Sequence, residues 1–463
     1  MKTNKIKKIT LRISILFFFM SQFATADFKI PEYKKLTLKN GLTIYLMEQH
    51  EVPLIDIRMV TKAGAINDGT QYGLANLTGD ALSFGSGKLN KKEIEDVFAF
   101  HGAQLGGGVE LESASTTLSI ASKDSNKLLP IFRDIITKPT FNSEEFTKHK
   151  KRYLNQLIQS REIPRNVITS AFNKLYYAKH PYGNPVEGDA SSVETITLEQ
   201  VELFYAKFYS ANNSALILVG DFKTRKMVKK IKKLFNGWKS NVINPIELNE
   251  FKAPKESNVW LINKSDAIET TFMIGGKGIA SNHHDKVALQ VINTILGARF
   301  TSWLNDELRV NSGLTYGARS RFNSQSKFGN FVISTFTKKE TTFEAIELAV
   351  KTYHRLWNKG IDKATLDSAK TYVKGQFPPR YETSGQLARL LSTMWSLSLD
   401  NSFINDFQKN VDSLDVDKAN RIAQAVFPKD NLQYVLVGKA SDIKEEAKNY
   451  GEIKEMEIKT FKF

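Results

Sequence analysis

Asn213-Ser214-Ala215-Leu216-Ile217-Leu218-Val219-Gly220 and Asn431-Leu432-Gln433-Tyr434-Val435-Leu436-Val437-Gly438 are two versions of one phrase, 218 residues apart (431 − 213). Each is an apolar run opened by Asn and closed by Gly, the text of a buried strand. The same offset holds upstream without a gap. Glu194-Thr195-Ile196-Thr197-Leu198 aligns with Asp412-Ser413-Leu414-Asp415-Val416, and a helix-length stretch follows each, ending in Phe208-Tyr209 or Val426-Phe427. A repeat this long exceeds solenoid periods and means two copies of one domain. A chain of 463 residues has room for two units of about 200 residues, each burying its own core.

The first copy is expected over 27–240 and the second over 258–463. Residues 241–257, with Pro245 and Pro254 among polar side chains, are the expected linker. The first copy opens with alternating text over 36–47, broken by Asn40-Gly41 as a hairpin turn. Strands are expected over 55–60, 112–122 and 215–220, and helices over 73–84, 91–103, 125–137 and 144–161. The second copy runs in parallel, with strands over 269–275 and 331–337 and a helix over 284–296. The predicted fold class is α+β: two tandem homologous domains, each a mostly antiparallel sheet with helices packed on one face.

Composition excludes several classes of function. The chain has no cysteine, so disulfides, thiolate metal sites and a lipid-modified amino-terminal Cys are ruled out. Lys2, Lys5, Lys7, Lys8 and Arg12 precede an apolar run over 13–20, and Ala24-Thr25-Ala26 supplies a small-x-small cleavage site. Residues 1–26 therefore read as a signal peptide, too short in its apolar part to span a bilayer. Losing those five charges takes the formal balance from +16 to +11. The expected location is the periplasm of a Gram-negative bacterium, or the exterior. No nucleic-acid module accompanies the positive charge. The most basic stretch, 225–233, carries apolar residues at helical spacing and reads as an amphipathic helix with a solvated lysine face.

Chemistry narrows to 73–84, Gly73-Leu74-Ala75-Asn76-Leu77-Thr78-Gly79-Asp80-Ala81-Leu82-Ser83-Phe84. Asn76 and Asp80 are four apart and share one helix face, the spacing at which two histidines clamp a metal. On the residues alone this is a helix turn with a small polar face. The seven histidines are His50, His101, His149, His180, His283, His284 and His354. None stands at a metal-clamping spacing, and adjacent His283 and His284 are expected on different faces, so capping or surface roles are their default. Gly85-Ser86-Gly87-Lys88 lacks the frame of a phosphate loop, and Gly106-Gly107-Gly108 reads as a turn before the next strand.

The chain nevertheless resembles a family: the pitrilysin/insulinase-type, or inverzincin, zinc peptidases, whose helix carries the motif H-x-x-E-H. Gly73, Leu74, Ala75 and the aromatic Phe84 accompany that motif's positions, which read Asn76-x-x-Gly79-Asp80 here. Leu38-Lys39-Asn40-Gly41-Leu42 resembles the family's opening strand. His180-Pro181-Tyr182-Gly183 resembles its His-Pro-Tyr-Gly segment, 209–221 the strand closing each unit, and 295–316 the second-copy signature. The resemblance covers nearly the whole mature chain. It implies the pitrilysin-like fold that the metalloenzyme LuxS shares, and a third metal ligand in a Leu-x-Glu-Ile frame. The matching Leu154-Asn155-Gln156-Leu157 puts Gln156 there. Two amides and one carboxylate hold zinc poorly, and Gly79 offers no base for a bound water. Asn76, Gly79, Asp80 and Gln156 are thus degenerate positions, and no catalytic residue, metal or other cofactor is expected in this chain.

The second copy keeps what the first lost. Leu308-Arg309-Val310-Asn311-Ser312-Gly313-Leu314-Thr315-Tyr316 preserves the frame Leu-Arg-x-x-x-Gly-Leu-x-Tyr of non-catalytic subunits in two-subunit members. Read without the family, Arg309 would pair with Asp306 and Tyr316 would pack at a sheet edge. The resemblance implies instead that Arg309 grips substrate carbonyl or carboxylate groups and Tyr316 donates to a carbonyl at a partner's zinc. It also implies that strand 269–275 holds substrate as an added strand. The loop 297–302 departs from the glycine-rich loop of the mitochondrial processing enzyme's non-catalytic subunit, which argues against presequence recognition. The function expected is a non-catalytic, substrate-binding subunit of a periplasmic heterodimeric zinc metallopeptidase. Its partners would be a zinc-bearing catalytic homologue and unfolded peptides. The alternatives are a peptidase-derived scaffold or peptide-binding protein with no catalytic partner, and a peptidase with a rebuilt metal site.

Overall fold

The computed structural model describes residues 28–244 and 246–462. The expected signal peptide and Pro245 of the expected linker lie outside the described residues. The first six-stranded sheet contains β1 (Lys34–Thr37), β2 (Thr43–Glu48), β3 (Leu54–Thr61), β4 (Gln104–Val109), β5 (Ala114–Ala121) and β6 (Ser214–Gly220), in the order β1-β2-β6-β3-β5-β4. The second contains β7 (Asn258–Asn263), β8 (Glu269–Lys277), β9 (Arg319–Ser324), β10 (Gly329–Lys338), β11 (Gln433–Gly438) and β12 (Glu452–Glu457), in the order β12-β7-β11-β8-β10-β9.

Five strands correspond one to one. β2 runs parallel to β6, as β7 does to β11, and the next three pairings are antiparallel in both sheets. The repeated phrase that reveals the duplication is the pair β6 and β11, buried along their whole lengths. Only the sixth strand differs: β1 precedes its sheet and pairs antiparallel, whereas β12 closes the chain and pairs parallel. The frames upstream cap equivalent helices. Thr197 accepts the Gln200 amide at the start of Leu198–Phe208, and Asp415 accepts the Lys418 amide at the start of Val416–Val426.

Helices of each half cover one face of its own sheet, as the α+β reading requires. The other face is covered by a helix of the opposite half. The helix Pro164–Tyr177 packs on β8 and β11, and its counterpart Ser384–Ser396 packs on β3 and β6. Alternation along the strands serves both layers. Leu216 and Leu218 join the first half's own core, while Ala215, Ile217 and Val219 join the core that includes Leu387, Leu391 and Met394. Likewise Trp260, Ile262, Met273, Val435 and Val437 pack with Val167, Ile168, Ala171 and Phe172. Each fully buried Leu or Phe in these layers contributes about 1.5–3 kcal/mol.

Two expectations need correcting. Gly106, Gly107 and Gly108 do not form a turn; they lie inside β4, the edge strand of the first sheet. Strand β8 does not offer an edge to substrate. It is hydrogen-bonded to β10 on one side and β11 on the other, so no strand can be added there.

Candidate functional site

The helix α1 (Leu74–Ala81) carries the degenerate positions. Its start is fixed by Asp68, whose two carboxylate oxygens each accept a backbone N–H at 2.8 Å, from Gly73 and Ala75. Gly73 sits at φ 97°, and a Cβ there would press within 3.1 Å of the Gly188 Cα, so glycine is required. Asp68 is almost fully buried, and burial pushes its carboxyl up to about 7 against the pull of the two amides.

A second helix, α2 (Ser143–Ser160), lays His149 and Tyr153 across α1. His149 Nε2 meets Asp80 Oδ2 at 2.9 Å. The Asn76 amide donates to the Tyr153 hydroxyl at 2.9 Å, and that hydroxyl donates to the Glu187 carbonyl at 2.6 Å. The imidazole and phenol rings stack at 5.8 Å with a 12° tilt. Gln156, one turn further along, is exposed, and no hydrogen bond joins it to Asn76 or Asp80. His149 and Tyr153 are the site residues that sequence reasoning missed; their i,i+4 spacing on the helix already assigned to a ligand was the available signal.

Beside Gly79 lies a cavity of about 260 Å³ between α1 and β4, bounded by Asp80, Phe84, Leu105, Val109, His149 and Tyr209. A Cβ on Gly79 would stand 3.0 Å from Val109 Cγ2 and 3.9 Å from the Tyr209 hydroxyl. That hydroxyl is buried with no hydrogen-bond partner among the described residues, and burial raises its pKa. The site does not fit zinc. Among the described residues Asp80 and His149 are its only metal-type donors, already turned on each other. Asn76 spends its amide on Tyr153, whereas zinc demands three or four anionic or imidazole ligands.

Arg309 and Tyr316 sit on the second half. Arg309 makes no ion pair with Asp306; its guanidinium covers the Phe300 ring at 4.4 Å. Tyr316 is 83% exposed and stacks on Phe336 at 6.4 Å. The Phe336 ring is also covered by Arg165 of the first half at 3.6 Å, and Arg165 pairs with Glu269 at 3.2 Å. His283 and His284 do not point apart as expected. Their rings stack at 4.4 Å, with His284 on Asp285 at 2.9 Å, because the Asp285 amide donates to His283 Nδ1 and folds the turn back.

Residues 44–190 match the family profile described as Insulinase (Peptidase family M16), and residues 195–373 that described as Peptidase M16 inactive domain. The chain belongs to peptidase family M16. Among M16 relatives, it is 23% identical over 434 residues to the Zinc protease PqqE of Helicobacter pylori, covering 92% of this chain and 97% of that one. It is 21% identical over 393 residues to the Non-peptidase homolog YmxG of the same organism, covering 84% and 90%. The crystal structure of a peptidase M16 inactive domain from Pseudomonas fluorescens superposes with a TM-score of 0.82 at 26% identity, covering 88% of this chain and 98% of that one. Within M16 this chain is an inactive homologue. No helix among its described residues is long and apolar enough to cross a membrane.

Proposed function

We propose that this M16 chain is the non-catalytic, substrate-binding subunit of a heterodimeric zinc metallopeptidase of the periplasm. It binds unfolded peptides and presents Arg309 and Tyr316 to the active site of a zinc-bearing homologue. The observation that carries the reading is the contrast between its halves. In the first, Asp80 and Asn76 are occupied by His149 and Tyr153. In the second, Tyr316 is 83% exposed and the Arg309 guanidinium rests on the Phe300 ring. A guanidinium resting on a ring keeps its donor fork open for a carbonyl or carboxylate. That one organism carries relatives named both as a zinc protease and as a non-peptidase homolog supports the pairing.

Peptide enters this reading through β4. Among the described residues it pairs only with β5, leaving one edge of Gln104–Val109 open to an added strand beside α1. The same open edge favours the second reading, a peptide-binding protein without a catalytic partner, because it needs nothing from Arg309 or Tyr316. The experiment purifies the chain alone and with a zinc-bearing homologue encoded beside it, and measures cleavage of unstructured peptides. The first reading expects cleavage only by the pair, falling sharply in Arg309→Ala. Unchanged activity in that variant removes Arg309 from the site and leaves the second reading.

A further inference from the structure

The cavity beside Gly79 has a use that the lost zinc chemistry does not explain. We propose that it is a pocket for a carboxamide side chain, glutamine or asparagine, of a peptide added as a strand to β4. The inference rests on the peptide-binding reading above and names what that peptide must carry.

Five observations converge. The phenol of Tyr209 is buried, lacks a partner among the described residues and lies in the wall of this cavity, 3.9 Å from where a Cβ on Gly79 would stand. An orphaned buried hydroxyl is a standing demand for a partner, which a ligand carbonyl satisfies. The path to it is clear: Gly79 and Gly106 to Gly108 carry no side chains. In an added strand alternate side chains project to the α1 side, so one enters between Leu105 and Val109, whose apolar surfaces cover its methylenes. The charged groups in the walls are already matched, Asp80 with His149 at 2.9 Å and Lys91 with Glu145 at 3.4 Å. No surplus positive charge remains to offset the desolvation of a carboxylate, so a neutral acceptor is selected over glutamate. The Thr116 hydroxyl, opposite Gly107 on the same face, can accept a carboxamide N–H.

The test uses the purified chain and short fluorescein-labelled peptides identical except for a central Gln, Leu or Glu, read by fluorescence polarisation. The Gln peptide is expected to bind about tenfold tighter than the Leu peptide, the return on one satisfied buried hydrogen bond. The Glu peptide should bind no tighter than Leu. Tyr209→Phe, which removes only the orphaned oxygen, should erase the Gln advantage and leave the Leu peptide unchanged. Gly79→Val, which narrows the mouth against Val109, should weaken the Gln peptide; thermal melts of both variants verify the fold. Equal affinities for Gln and Leu, or a Gln advantage that survives Tyr209→Phe, overturn the pocket while leaving peptide binding intact. Failure of every peptide to bind overturns both the pocket and the reading beneath it.

Discussion

His149 and Asp80, 69 residues apart in sequence, close on each other at 2.9 Å across the interface of two helices. The contact consumes the one carboxylate left at the family's metal positions. Chain desalted after incubation with zinc should therefore retain far less than one ion per molecule by elemental analysis. Stoichiometric zinc that disappears in Asp80→Ala or His149→Ala would mean a rebuilt metal site.

Tyr153 ties Asn76 to the Glu187 carbonyl through one hydroxyl. Tyr153→Phe leaves both of those groups without it, and should lower unfolding free energy by about 1–3 kcal/mol in urea titrations. Asn76→Ala removes only one donor and should cost less, since Tyr153 keeps its bond to Glu187.

Asp68 gives the chain a pH signature. Its folded pKa, about 7, lies above its ordinary value of 3.8, so the folded state holds the proton more tightly than the unfolded one. That contribution is full below pH about 4 and is lost as pH rises through about 7. The urea midpoint of the wild type, compared with that of Asp68→Asn, should fall over this window; parallel curves for the two proteins would refute the assignment.

On the proposed reading Arg309 and Tyr316 act outside their own fold. Tyr316→Phe should leave the melting temperature unchanged and reduce kcat/KM of the reconstituted pair by on the order of 10²-fold, the loss typical of one donor to a developing oxyanion. A variant that melts early without touching kcat/KM would assign the phenol to packing on Phe336 instead.

Phe172, fully buried, projects from Pro164–Tyr177 into the sheet of the other half. Phe172→Ala should cost about 3–5 kcal/mol and destabilise both halves together, seen as one transition shifted in calorimetry. Two separate transitions would show that the halves fold independently.

Much of this was legible in the residues. The duplication showed because β6 and β11 are buried on both faces and so read as unbroken apolar runs. The degenerate metal positions showed only through the resemblance, because Asn76, Gly79 and Asp80 fall in the frame of the family's H-x-x-E-H helix. What stayed hidden has physical causes. Three glycines erase the alternation that would mark β4 as a strand. The central place of β8 depends on pairings 53 to 166 residues away (330 − 277 = 53, 437 − 271 = 166), such as Ile274 with Ile333 and with Tyr434, which local pattern does not encode. The orphaned Tyr209 hydroxyl is a property of packing, and an aromatic at a helix end looks like any other core residue.

The exchange of Pro164–Tyr177 and Ser384–Ser396 between the halves sets an order on biosynthesis. While the polypeptide emerges, the amino-terminal sheet waits with one greasy surface bare until residues near 396 have been made. Nascent chains stalled before that point should bind holdase chaperones avidly, and release should coincide with arrival of the later helix.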